Sequence, residues 1–170
     1  IPTLGKASIQ TPLLKLLPPE FHEKIFIGDD DRVLCDIRAA EARRLSAAGS
    51  ELPSFEQAGP RRSIFFDPAK TSAAIDTCGG LCPGINNVIR SLVMTLHYRY
   101  GVTRILGIRN GYQGFIPEYK LEPVALTPQR VDHIQRQGGT ILGTSRGKQD
   151  TERIVDFLQK NQIDILFIIG

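Results

Sequence analysis

The residues best suited to chemistry in this chain of 170 residues gather in three short stretches: TCGGLCPG at 77–84, RNGYQGF at 109–115 and TSRGKQD at 144–150. Gly79 and Gly80 carry no Cβ, so a bulky anion can approach the main chain there. A helix opening just beyond them would add free N–H groups and the positive end of its dipole, a combination suited to phosphate. The spacing is neither GxGxxG nor the GxxxxGK[ST] of a P-loop. A tight strand-to-helix turn without a ligand is therefore the competing reading. Arg146 can grip two phosphate oxygens at once, and Lys148, after Gly147, adds a point charge. Taken alone, that stretch also reads as a solvated loop. Tyr112 carries a ring that could cover a base or sugar, or could anchor its own loop.

Other chemistries find less support. Cys35, Cys78 and Cys82 form an odd set with no second pair for zinc, and two thiols at CxxxC spacing make a weak metal claim. Cys78 and Cys82 are expected as small buried residues near a turn, in a reducing compartment. His22, His97 and His133 stand in no Ser, Cys or carboxylate constellation, and His97 and His133 fall in predicted helices as surface or packing residues. Asp29, Asp30 and Asp31 read as a solvated turn, and no residue stands out as a general base. The net charge of +3 is spread along the chain, with pairs only at Arg43-Arg44 and Arg61-Arg62. That argues against nucleic acid and suits anionic small molecules. No apolar run approaches the roughly 20 residues of a membrane span. The first 19 residues lack the charged-then-apolar order of a signal peptide, so a cytoplasmic protein with no membrane partner is expected.

The elements that must hold these loops have βαβ rhythm. SAAIDT reads as a buried strand running into the first loop. Pro83 stands at a predicted first helical position, and Ile85, Val88, Ile89, Leu92, Val93 and Leu96 follow at helical spacing as one apolar face, up to Gly101. VTRILGI is the next strand, with RNGYQGF as its loop. Thr127-Pro128 caps a helix whose Val131 and Ile134 face inward until Gly138-Gly139 stops it. TILG at 140–143 reads as a short strand before TSRGKQD. A helix over 151–161 turns Ile154, Val155 and Leu158 to one side, and IDILFII reads as a fully buried closing strand. Alternating strands and helices predict an α/β fold: a Rossmann-like parallel sheet with helices on both faces, binding its ligand at the carboxyl ends of the strands. All three loops would lie on that edge.

Residues 1–57 differ. Pro2, Pro12, Pro18, Pro19 and Pro53 break this stretch often, ARRLSAAGSELP offers one short helix, and an irregular amino-terminal extension is expected that wraps a neighbouring surface. A short strand at 63–66 then opens the domain proper, 58–170. The chain stops at the last apolar strand, and a fragment of a longer parent is expected.

In order, AGPR at 58–61, TCGGLCPGINNVIR, GIRNGY, LTP, GGTILGTSRG and ILFIIG resemble the amino-terminal half of the 6-phosphofructokinases. The AGPR…FFDP lead-in and the long extension resemble the plant, trypanosomatid and spirochaete-like ATP-dependent branch. The resemblance covers about residues 58–170 and implies transfer of the γ-phosphoryl of ATP, with magnesium, to the 1-hydroxyl of fructose 6-phosphate in glycolysis. Gly79 and Gly80 match the family's phosphate-approach glycines, Tyr112 its nucleotide-side tyrosine, and Arg146 its phosphate-binding arginine, with Gly147 and Lys148 extending that loop. Such residues position the donor and offset its charge. Family enzymes are usually homo-oligomers, and many are allosteric. The GGDG-type loop and the TIDND-like motif with the catalytic aspartate would follow Gly170, so this chain by itself is expected to be inactive. Pyrophosphate as donor is an alternative within the family, and a non-catalytic nucleotide-sensing subunit is an alternative outside it. Two positions depart from the pattern: Asp76, where an apolar residue is usual, and Met94, where short bacterial enzymes carry the second arginine of an effector site whose first is matched by Arg90.

Overall fold

The computed structural model describes residues 4–170; Pro2 lies outside them. The chain divides into two compact units, 1–65 and 66–170.

The first unit is built from short pieces because prolines interrupt it. β1 (Ile9–Gln10) pairs antiparallel with β4 (Ser63–Ile64), and β2 (Arg32–Leu34) pairs antiparallel with β3 (Ser54–Glu56). The predicted strand at 63–66 is thus only two residues long. α1 (Leu13–Leu16) starts after Pro12, and α2 (His22–Ile25) follows a 3-10 turn opened by Pro19. The predicted short helix is α3 (Ala39–Ala47), which ends where Gly49 takes a φ of 68°. The acidic trio lies in an exposed turn, closed by the Gly28 N–H donating to Asp31 Oδ2 at 2.8 Å.

The second unit carries the sheet, in the order β7-β6-β5-β8. β5 (Ser72–Thr77) is parallel to β6 (Arg104–Gly107) and to β8 (Ile165–Ile169), while β7 (Val124–Ala125) runs antiparallel to β6. β5 is central and all six of its residues are buried, Ser72, Asp76 and Thr77 among them. Alternation then divides the core in two. Ala73 and Ile75 face α4 (Ile85–Met94) and its Ile85, Ile89 and Val93; Ala74 faces Ile108 and Phe115, with Ile154, Phe157 and Leu158 of α6 (Thr151–Lys160) packed behind them. Helices therefore cover both faces of an α/β sheet. Each fully buried Ile or Val contributes roughly 1.5–3 kcal/mol over its exposed state.

Several sequence expectations need correction. α4 begins at Ile85, two residues beyond Pro83, because Gly84 adopts a left-handed φ of 92° that no helical residue shares. Val88 is 44% exposed; it sits at the rim of the apolar stripe that Ile85, Ile89 and Val93 define. The helix continues as a π-type segment over Thr95–Tyr100 and does end at Gly101, whose N–H donates to the His97 carbonyl at 3.1 Å. The helix expected up to Gly138 stops early. α5 (Pro128–Val131) is capped by Thr127 Oγ1 accepting from the Arg130 N–H at 3.3 Å, then breaks at His133 and resumes as a 3-10 turn, Ile134–Arg136. Val131 and Ile134 face inward all the same. Residues 140–143 form a turn and not a strand. β8 is not fully buried: it is an edge strand of the described sheet, hydrogen-bonded only to β5, and Ile168 is 50% exposed.

Candidate functional site

Thr77, at the carboxyl end of β5, is the hinge pin of the site. Its hydroxyl donates to the Gly143 carbonyl at 2.7 Å and lies 3.0 Å from Thr140 Oγ1. Asn86, in the first turn of α4, clamps the same turn from the other side. Its Nδ2 donates to the Gln137 carbonyl at 3.0 Å, and its Oδ1 accepts from the Ile141 N–H at 2.9 Å. Those side-chain bonds replace the ladder that a strand at 140–143 would have needed, so the segment bends at Gly143 (φ 72°).

The bend brings the third loop beside the first. The Gly79 N–H donates to the Ser145 carbonyl at 3.1 Å, and Thr144 Oγ1 donates to the Gly79 carbonyl at 3.0 Å. The second loop joins through the Asn110 N–H, which donates to the Leu142 carbonyl at 2.8 Å. The Cys78 N–H donates to the Ile169 carbonyl at 2.9 Å, which ties in the end of β8. All three loops thus meet at one edge of the sheet, although the third does not follow a strand.

The glycines separate into two roles. A Cβ at Gly111 would lie 2.9 Å from the Ser145 backbone nitrogen, one at Gly143 would strike Asn110 Oδ1, and one at Gly170 would strike the Cys78 carbonyl. These glycines let loops approach each other. Around Gly79, which has a left-handed φ of 78°, no atom lies within 4 Å of the Cβ position, and at Gly80 only an Arg146 guanidinium nitrogen does, at 3.4 Å. Open space faced by a guanidinium is what a phosphate requires. Gly147 has a left-handed φ of 104° and open space around it, and Lys148 is exposed. Tyr112 is the second residue of a 3-10 turn, Gly111–Phe115, with its ring tilted 53° against Phe115 at 6.3 Å, so it anchors its own loop. Its hydroxyl is pushed above the usual range by burial and by Cys78 and Asp76 beside it.

Asp76 is fully buried, and neither carboxylate oxygen has a hydrogen-bond partner. Burial pushes its carboxyl up to about 6; the neighbouring Thr77 N–H pulls the other way but does not reach hydrogen-bond geometry. The thiols differ from expectation: Cys78 is half-buried and Cys82, in the turn beyond β5, is exposed; Cys35, after β2, is exposed as well. Arg90 is paired with Asp132 at 3.7 Å, and Met94 packs against the core. Among the described residues, no group of three or more His, Cys, Asp or Glu could hold a metal ion, so no residue of this chain is assigned to magnesium. No helix among them is long and apolar enough to cross a membrane.

Thr77, Asn86, Thr140, Thr144 and Ser145 were not singled out from the sequence. Their only local signal is polar side chains set among apolar neighbours where a strand or helix turn begins or ends.

The family model described as Phosphofructokinase matches residues 72–170, the stretch from β5 to Gly170. The chain belongs to the phosphofructokinase family. This phosphofructokinase chain is 44% identical over 167 residues to the ATP-dependent 6-phosphofructokinase of Amycolatopsis methanolica, a match that covers 98% of the chain and 36% of that protein. It is 50% identical over 163 residues to the chloroplastic ATP-dependent 6-phosphofructokinase 4 of Arabidopsis thaliana, covering 96% of the chain and 29% of that protein. The phosphofructokinase chain therefore spans about a third of the length of these curated relatives. Its fold is similar to that of Pichia pastoris phosphofructokinase in the T-state, with a TM-score of 0.53 at 23% identity over 70% of this chain and 14% of that one.

Proposed function

We propose that the full-length protein transfers the γ-phosphoryl of ATP to the 1-hydroxyl of fructose 6-phosphate, and that this chain supplies the donor-binding side. The observation that carries the reading is the open space at Gly79 with the Arg146 guanidinium against Gly80 beside it. ATP brings the transferable phosphoryl group. Gly79 and Gly80 allow its phosphates to reach the main chain, Arg146 offsets their charge, and Lys148 adds a second cation on the exposed chain after Gly147. Tyr112, held against Phe115, borders the same edge on the nucleotide side. The work asked of these groups is positioning and charge compensation, which is most of what phosphoryl transfer needs. Magnesium and the base on the sugar hydroxyl are assigned to no residue here.

Turnover of fructose 6-phosphate by the full-length protein, assayed with magnesium and either ATP or pyrophosphate, tests the reading; turnover with ATP is expected. Arg146→Ala removes one charged contact, worth about 1.5–3 kcal/mol, and is expected to weaken donor binding about 10- to 100-fold. Unchanged donor affinity and rate would remove Arg146 from the site. Asp76 favours one second reading, a nucleotide-sensing subunit without turnover, because its buried carboxylate lies beside the donor loop. A folded protein that binds nucleotide and turns over neither donor would support that reading.

A further inference from the structure

Asp76 is the only charged residue among the fully buried polar residues described, and the donor site outlined above makes no use of it. It lies on the strand that runs into Gly79 and Gly80, and both its oxygens lack a partner. Its side of the sheet is apolar. Ala74, Ile108 and Phe115 form the cluster there, α6 adds Ile154, Phe157 and Leu158, and β8 sets Ile168 opposite Asp76 in the register. The titratable groups facing it are Tyr112, from the turn after β6, and Cys78, two residues further along its own chain. Neither brings a positive charge. An ionised carboxylate in such a place is costly unless something neutralises it, and the partner within reach is a proton.

Gly79 lies three residues beyond Asp76. Three residues of chain span at most about 10 Å, so a phosphate over Gly79 and Gly80 stands on the order of 10 Å from the carboxyl. An anion there and an anion at Asp76 repel across a medium of low polarity. We propose that Asp76 makes the donor site proton-linked, so that a phosphate donor is taken up together with a proton that comes to rest on the Asp76 carboxyl. The inference rests on the donor-site reading above. The proton comes from solvent, one negative charge is cancelled, and no bond of the donor changes.

The size of the effect follows from charge and distance. In the free protein the carboxyl titrates at about 6 and is largely ionised at neutral pH. Each phosphate charge on the order of 10 Å away holds the proton more firmly, by about one pK unit per charge, so donor binding pushes the carboxyl up further. Above about pH 6 donor affinity therefore falls as pH rises, by up to about tenfold per pH unit.

The test is titration calorimetry of the full-length protein with ATP and magnesium at about pH 7.5, in two buffers of different ionisation enthalpy, with affinities then followed from about pH 6.5 to about pH 8.5. Wild type is expected to take up most of a proton per site and to lose affinity with pH. Asp76→Asn is expected to show only the uptake that ATP itself contributes and a correspondingly flatter profile; Asp76→Val, which suits the apolar surroundings, gives the same reading should the amide variant fail to fold. Any titration of ATP itself appears in the variants too and drops out of the difference. No uptake by wild type, or equal uptake by wild type and variants, overturns the inference while leaving the donor site standing. Absence of both ATP and pyrophosphate binding at every pH overturns the donor-site reading and the inference with it.

Discussion

Replacing Asp76 with valine is expected to stabilise the fold, and to stabilise it more as pH rises. The side chain is wholly buried on the face shared with Ala74, Ile108 and Phe115, and neither oxygen is hydrogen-bonded. The folded-state carboxyl titrates at about 6 against an ordinary value of 3.8. Between those values the folded state keeps a proton that the unfolded state has already released. Stability from this group is therefore fully present below about pH 4 and is lost as pH rises through about 6, by about 3 kcal/mol in all. Valine has no such dependence. Its advantage over aspartate starts with a pH-independent part, from exchanging an unpartnered polar group for methyl groups, of about 1–3 kcal/mol. It then grows by the further 3 kcal/mol or so between about pH 4 and about pH 7. Urea unfolding followed by far-UV circular dichroism, at pH steps across that range, measures the difference directly, and equal slopes against urea certify that the two proteins unfold alike. A stability difference that stays constant with pH would mean that Asp76 is solvated or paired in the folded chain, and the reasoning from burial would fail.

Gly80→Val is expected to change stability by less than about 1 kcal/mol, because the position is exposed and its Cβ would meet only the movable end of Arg146, yet to weaken donor binding roughly tenfold or more. Normal ATP affinity in that variant, measured by calorimetry, would refute the close-approach argument. Gly111→Ala is the converse: its Cβ would press on the Ser145 backbone at a φ of 59°, so a thermal or urea scan is expected to show a loss of at least about 2 kcal/mol. Thr77→Val keeps the shape but strips the Gly143 carbonyl of its donor, and is expected to cost about 1–3 kcal/mol. Wild-type stability in that variant would show that the hydroxyl is not what holds the 140–146 turn.

What could be read from the sequence is what local pattern determines. β5 is a short run of small and apolar residues broken only by Asp76, and α6 carries Ile154 and Leu158 at helical spacing; both lie where those patterns put them, but Val155, expected on the same side of α6, is 43% exposed and Phe157 packs there instead. TILG at 140–143 carries the local signature of a strand, but its backbone is satisfied by Asn86, 55 residues away along the chain. No window around residue 140 contains that partner. β8 is as rich in isoleucine as a central strand would be, yet it lies at the sheet edge, since composition reports burial propensity and not neighbour count. The loops TCGGLCPG and TSRGKQD were legible as candidate anion-binding segments, and the Gly80–Arg146 approach brings them together. Their glycines were not separable in advance. Gly111, Gly143 and Gly170 make room for neighbouring chain, Gly79 and Gly80 for something else, and only coordinates show on which side the space lies.

The Asn86 clamp has a consequence for how the molecule comes apart. One primary amide stands in for a missing peptide neighbour, so the segment that leads to Arg146 is fastened by side-chain bonds and isolated backbone bonds while β5 is fastened by ladders on both sides. Few bonds mean a low local opening free energy, well below that of the sheet. In hydrogen exchange the Ile141 amide then belongs to a separate, earlier-opening unit than the amides of β5, and Asn86→Ala hastens exchange at Ile141 while β5 keeps its protection. The arm that reaches over Gly80 has its own melting step, and the protein can slacken its hold there without loosening its core.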